Sequence, residues 1–160
     1  TAGATVTRIA DAASKTGLGS YINSSEGVLY AEISALANDV SVSISDNTFN
    51  NSISFGIYSN NIYMVIRKDG GYITSGIIDT STDAFNNNKI AIKYNSSSCD
   101  FYVNGVIIGS SAGVTYNSDV LANLNFNRGS DNDNFYGNCK DLRVYKTALT
   151  GAELTTLTTL

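Results

Sequence analysis

Apolar and polar residues alternate with a period of two along most of this chain. Val40, Val42 and Ile44 interleave with Ser41, Ser43 and Ser45, and Ile53, Phe55 and Ile57 with Ser52, Ser54 and Gly56. The spacing returns at Ile62, Met64 and Ile66, at Ile90, Ile92 and Tyr94, and at Phe101 and Val103. Leu124 and Phe126, then Leu142 and Val144, close the series. Successive side chains of a strand point to opposite faces, so each run predicts a half-buried β-strand. Turn-formers separate the runs: Asn38-Asp39, Asp46-Asn47, Asn60-Asn61, Asp69-Gly70-Gly71, Asn86 to Asn88 and Asn104-Gly105. Asn104-Gly105 is the strongest signal, because both central residues of a type I′ hairpin need positive φ. Asn60-Asn61 predicts a second tight hairpin. The count comes to about ten or eleven short strands, the texture of an antiparallel sandwich.

One helix is predicted, at the tail. Thr150-Gly-Ala-Glu153 is a capping box, in which Thr150 and Glu153 satisfy each other's backbone N–H. Leu154 and Leu157 then share a face that can dock on the sandwich. Residues 11 to 20 allow a turn of helix before the Gly17-Leu18-Gly19 loop. No linker or internal repeat divides residues 1–160, which read as a single domain.

Composition narrows the chemistry. Apolar residues make up 42% of 160 and charged ones only 15%, with a net charge of −4. The ten basic residues form no stripe, which argues against nucleic acid and against an anionic membrane surface. No apolar run approaches the roughly 20 residues that span a bilayer. The chain opens TAGATVT without a Met or a leader pattern, and reads as a C-terminal piece of something longer. Histidine is absent, which removes the commonest general base and a common metal ligand. Cys99 and Cys139 leave two readings open, a bridge between neighbouring strands or two buried free thiols.

The string GNCKDLRVYKTALTGAEL resembles the closing segment of laminin G-like domains, in the concanavalin A-like lectin/glucanase group. The matching residues are Gly137, Asp141, Leu142, Arg143, Val144, Tyr145, Ala148, Leu149, Thr150 and Glu153; Cys139 and Lys140 depart from the pattern. The Tyr102 to Gly105 hairpin is a second match. The resemblance is best over residues 88 to 160 and extends back to Gly27. It implies an all-β fold, a two-sheet antiparallel jelly-roll sandwich with a curved sheet and a short C-terminal helix. It also implies the setting of a phage tail, virion or bacterial surface protein, an adhesin-like role, and an extracellular or virion-surface location.

The group includes glycosidases, which need two carboxyl groups across the scissile bond. Only Glu26, Glu32 and Glu153 are glutamates here, and Glu153 belongs to the cap. A degenerate glycosidase would require Glu32 to meet a second carboxylate across the concave sheet. Without an activating His, a G-x-S-x-G elbow or a P-loop, nucleophilic chemistry has no support either. The expected protein is therefore not an enzyme.

For a metal, Ser130-Asp131-Asn132-Asp133-Asn134 offers hard oxygen ligands, with Asp131 and Asp133 as candidates for Ca²⁺. The competing reading is a solvated hairpin loop. Asp141 and Arg143 share a face, which points first to a cross-strand pair and only second to a site. For a glycan, Tyr58, Tyr63, Arg67 and Tyr102 point away from the apolar series, beside a loop carrying Asp46 and Asn51. Such residues supply stacking and hydrogen bonding, though cross-strand packing accounts for tyrosines equally. The expected function is a non-catalytic carbohydrate-binding, cell-surface recognition module, its partner a glycan or host-surface polysaccharide. Homo-oligomerisation through the parent protein would raise its avidity. The alternative is a structural or assembly domain without a glycan ligand, for which Val28 and Leu36, on the less apolar face of strand 27–37, would supply a subunit contact.

Overall fold

The computed structural model describes residues 13–130 and 132–160. Eleven strands and one helix follow one another: β1 (Ser14–Lys15), β2 (Gly27–Ala35), β3 (Val40–Ser45), β4 (Ser52–Tyr58), β5 (Asn61–Lys68) and β6 (Gly71–Asp79). Then come β7 (Asn88–Tyr94), β8 (Ser98–Val103), β9 (Val106–Ala112), β10 (Asn123–Asn125), β11 (Gly137–Tyr145) and α1 (Gly151–Thr158). They form two antiparallel sheets, of order β1-β10-β3-β4-β5-β6 and β11-β2-β7-β8-β9. The expected jelly-roll sandwich with a short C-terminal helix is the fold observed.

The alternation decides the packing. Val42, Ile44, Ile53, Phe55, Ile57, Ile62, Met64 and Ile66 of the first sheet are fully buried. They meet Leu29, Ala31, Ile33, Ile90, Ile92 and Phe101 of the second in one core. Each of these side chains larger than alanine contributes about 1.5–3 kcal/mol by leaving water, which holds the two sheets face to face. The second sheet has its own outer cluster, where Leu154 of α1 covers Val28, Tyr30, Ala91 and Tyr102. Thr150 caps α1 as expected: its hydroxyl accepts from Glu153 N at 3.3 Å, and Glu153 Oε2 accepts from Thr150 N at 2.8 Å.

The hairpins follow the turn chemistry, with one shift. Asn104 (φ 48°) and Gly105 (φ 84°) make the expected turn between β8 and β9. Between β4 and β5 the two turn residues are Ser59 (φ 49°) and Asn60 (φ 63°), one position earlier than Asn60-Asn61. Asn61 instead opens β5 opposite Tyr58, the register that keeps Ile57 beside Ile62 in the core. The helical turn expected within residues 11 to 20 is not formed over the described part, where Ser14–Lys15 pairs with β10.

Val28 is not a surface contact. It is fully buried beneath α1, while Leu36 lies beyond the end of β2 and is exposed. The outer face of β2 was read from strand parity alone, without the helix that docks on it. The cysteines are free thiols, Cys99 buried and Cys139 exposed. They sit on β8 and β11, which β2 and β7 separate, so no bridge joins them.

Candidate functional site

The outer face of the six-stranded sheet is built from the polar half of the alternating runs. Ser41, Ser43, Ser45, Ser52 and Ser54 lie there, and all five are fully buried. The loop between β10 and β11 roofs part of this row. Ser43 Oγ donates to the Asn127 carbonyl at 2.8 Å, and Ser41 N donates to the Asp133 carbonyl at 2.9 Å. Asn127 Oδ1 accepts from Gly129 N at 2.7 Å, and Arg128 N donates to the Asn132 carbonyl at 2.9 Å. These bonds fix the loop, and with it Arg128 and Asp133, over the sheet.

Beyond the roof a cleft of about 220 Å³ remains. Its lining combines Tyr58, Tyr63, Val65, Tyr72 and Phe49 with the polar groups of Asp39, Ser75, Arg128 and Asp133. Gly56 makes part of this geometry possible. It lies between Ser41 and Tyr63 in register, and a Cβ there would run into the Val40 carbonyl and sit 2.9 Å from Ser41 Oγ. Across the residue without a side chain, the Tyr63 and Ser41 hydroxyls hydrogen-bond at 2.7 Å. Tyr58 packs edge-on against Tyr63, with ring centres 6.3 Å apart, and is 59% exposed. Tyr72, 56% exposed, packs edge-on against Phe49 at 6.4 Å.

Two guanidinium groups attend Phe49, each 4.4 Å from its ring centre. Arg67 also lies 4.6 Å from the centre of Tyr72, and its Nη2 donates to the Gly70 carbonyl. Arg128 lines the cleft itself and pairs with Asp133, Nη1 to Oδ2 at 3.2 Å. The Nε–H groups of both arginines are buried with no protein acceptor, positions that a water or a ligand oxygen would satisfy. Burial pushes the Asp133 carboxyl above the usual carboxylate range; Arg128 opposes that shift and Asp39 adds to it. Burial likewise raises the Tyr63 hydroxyl, against the hydrogen bond with Ser41.

The residues expected in a glycan site divide into three groups. Tyr58, Tyr63 and Arg67 do come together on this face. Asp46 and Asn51 act one step back: Asp46 Oδ1 accepts from Thr48 N at 2.8 Å and Oδ2 from Asn51 Nδ2 at 2.8 Å. Asn51 Oδ1 accepts from Asp69 N at 2.9 Å, so the two residues set the loop that carries Phe49. Tyr102 belongs elsewhere, because it is 94% buried under α1 on the other sheet. Its parity was right, but the outer face of β8 is a docking surface for the helix.

Asp131 lies outside the described residues. Asp133 is committed to Arg128, and no three carboxylate, thiol or imidazole groups converge among the described residues. Asp141 pairs with Arg143 on its own strand, at 2.6 Å, rather than across strands. Directly opposite Asp141 in the same sheet stands Glu32. It sits on β2, where it accepts from Asn87 at 2.7 Å and faces Lys140 at 3.4 Å. Phe49, Tyr72, Asp39 and Arg128 were not foreseen. The buried serine row was the available signal, since side chains so small cannot cover their own sheet face.

The chain belongs to the concanavalin A-like lectin/glucanases superfamily: a laminin G-type family model so described matches residues 15–155. A comparison with the curated proteins gives no match. Among solved structures, the CBM40 domain of the Ruminococcus gnavus IT-sialidase is similar, with a TM-score of 0.74 at 17% identity over 96% of each chain. The same domain bound to α2,3-sialyllactose gives 0.74 at 16% identity, again over 96% of each chain. Domain 4 of AbnA, a GH43 extracellular arabinanase from Geobacillus stearothermophilus, in complex with arabinotriose, gives 0.67 at 15% identity. That match covers 86% of this chain and 68% of the other. At such identities the likeness carries the fold.

Proposed function

We propose that this member of the concanavalin A-like superfamily is a non-catalytic glycan-binding module, with the cleft on its six-stranded sheet as the site. The observation that carries the reading is the pairing of exposed Tyr58 and Tyr72 with Asp39, Arg128 and Asp133 around one 220 Å³ cavity. Aromatic rings stack on the C–H faces of a pyranose, and fixed carboxylate and guanidinium groups take its hydroxyls. The ligands named for similar structures, sialyllactose and arabinotriose, are both sugars, which supports the same class here. In the cleft Asp133 is engaged by Arg128 at 3.2 Å rather than left free to act on a glycosidic bond.

The module serves as a domain of a larger phage or bacterial surface protein, outside the cell or on a virion. Binding at each site is weak and gains strength when several copies engage together. Among the described residues no helix is long and apolar enough to cross a membrane. The test is a glycan array probed with a multivalent display of the protein, first with Ca²⁺ and then with chelator. A selective signal lost in both Tyr58→Ala and Tyr72→Ala is expected. Loss on chelation as well would bring calcium into the site, with Asp131 and Asp133 as its ligands. A folded protein giving no signal, or one indifferent to both substitutions, refutes the reading.

An assembly role is the second reading. It draws on Ile78, Val106 and Ile107, about half exposed on the edge strands β6 and β9. Self-association in light scattering, abolished by charged residues at these positions, would favour it.

A further inference from the structure

We infer that the cleft takes neutral sugars and turns acidic ones away, and that Asp133 is the residue that sets this preference. The inference rests on the glycan-binding reading and names the ligand class of that same site. Arg128 is the one cation among the described residues lining the cleft, and its guanidinium already faces the Asp133 carboxylate at 3.2 Å. Asp39 lines the same cavity, so two carboxylates stand against one guanidinium. Arg67 does not redress the balance, since its charge lies against Phe49 and Tyr72 and its Nη2 is bound to the Gly70 carbonyl.

For a sugar hydroxyl this arrangement is favourable. Carboxylate oxygens accept from O–H groups, and the ion pair keeps both partners aligned. A sugar carboxylate meets the opposite situation. At Arg128 it must share the guanidinium with Asp133, whose Oδ2 already lies 3.2 Å from Nη1, and it must do so facing Asp39. Asp133 cannot easily withdraw, because its own carbonyl accepts from Ser41 N at 2.9 Å and its neighbour Asn132 accepts from Arg128 N at 2.9 Å. One like charge a few ångströms away costs on the order of tenfold or more in affinity at an effective dielectric constant near 20.

The experiment compares matched probes, galactose with galacturonic acid oligomers and lactose with 3′-sialyllactose, by calorimetry at low and high salt. Wild-type protein is expected to bind the neutral member at least tenfold more tightly, with the gap narrowing as salt screens it. Asp133→Asn should raise affinity for the acidic member about tenfold. Asp39→Asn should do the same to a smaller degree, and circular dichroism checks that each variant is folded. Acidic sugars bound as well as neutral ones, in a manner lost with Tyr58→Ala and Tyr72→Ala, would overturn the charge preference and leave the site standing. An unchanged ratio in folded Asp133→Asn would overturn the role of Asp133. No binding of any sugar by the folded wild type would overturn the glycan reading and this inference with it.

Discussion

Replacing Leu154 with Ala tests how the C-terminal helix is held. Leu154 is fully buried against Val28, Tyr30, Ala91 and Tyr102, and it is the one buried apolar side chain that α1 supplies. The substitution removes three carbons, worth ~2.4 kcal/mol in transfer at about 0.8 kcal/mol each. Part of the cavity persists, so the expected loss is about 3 kcal/mol, within the range of buried Leu→Ala changes. The helix, however, is only eight residues long and cannot stand alone in water. Its remaining ties are the half-buried Leu149 and Leu157, the Lys89 Nζ bond to the Thr159 carbonyl at 2.8 Å, and the Gly105 N bond to Thr158 Oγ1 at 3.1 Å. Once the cavity costs more than these ties supply, α1 detaches and the loss stops growing. Urea unfolding followed by circular dichroism measures the global loss, and hydrogen exchange reads the α1 amides separately. The α1 amides should exchange much faster in the variant, and Thr156→Ala on the exposed side should leave both readouts nearly unchanged. A loss under about 1 kcal/mol with wild-type protection of α1 would refute this account of the docking.

Three further outcomes follow from the structure. Gly56→Ala should destabilise the fold by at least about 2 kcal/mol in denaturant titration, because the new Cβ meets the Val40 carbonyl and disturbs the Tyr63–Ser41 bond. Burial raises the Asp79 carboxyl, but hydrogen bonds from Thr82 and Ser81 outweigh it and hold the group below the usual range. A lowered folded-state pKa stabilises above the unfolded value and ceases to as pH falls through the folded one. Asp79→Ala should therefore lower the melting temperature most near neutral pH and progressively less below about pH 4; an equal deficit at all pH values would contradict this. In the native protein at pH 8, iodoacetamide should modify the exposed Cys139 slowly, since partial burial raises its thiol too, and Cys99 only after unfolding. Cys99 is fully buried, with its thiol pushed up to about 11 by that burial, and mass spectrometry distinguishes the two sites.

The sandwich was legible because its determinants are local. Period-two runs such as VSVSIS and SISFGIY, and the positive-φ turn at Asn104-Gly105, state strand, face and reversal within a few residues. The capping box at Thr150 and Glu153 is equally short-range. The site was legible only in part. Tyr58, Tyr63 and Arg67 meet on one face because parity alone puts them outside the core, whereas Tyr102 and Val28 have the outward parity expected but lie under a distant helix. Arg128 and Asp133 reach the cleft through a loop about 80 residues along the chain from the sheet it roofs, as the Ser43–Asn127 bond shows. No spacing rule links Asp39 to Arg128, or Phe49 to Tyr72. Their meeting is a product of tertiary packing, and sequence periodicity does not reach that far.

The roof over the serine row divides the cleft between two unequal contributors. The floor and one wall, from Asp39 to Ser75, come from four consecutive strands and their turns, while Arg128 and Asp133 ride on one connection between β10 and β11. The fold is held by the sheets beneath, and the connection adds charge and shape above them. Under the glycan-binding reading, exchanging that connection would re-address the domain to a different sugar while its aromatic platform and core stay as they are. Descendants of one scaffold could diverge in target through the smallest part of the chain.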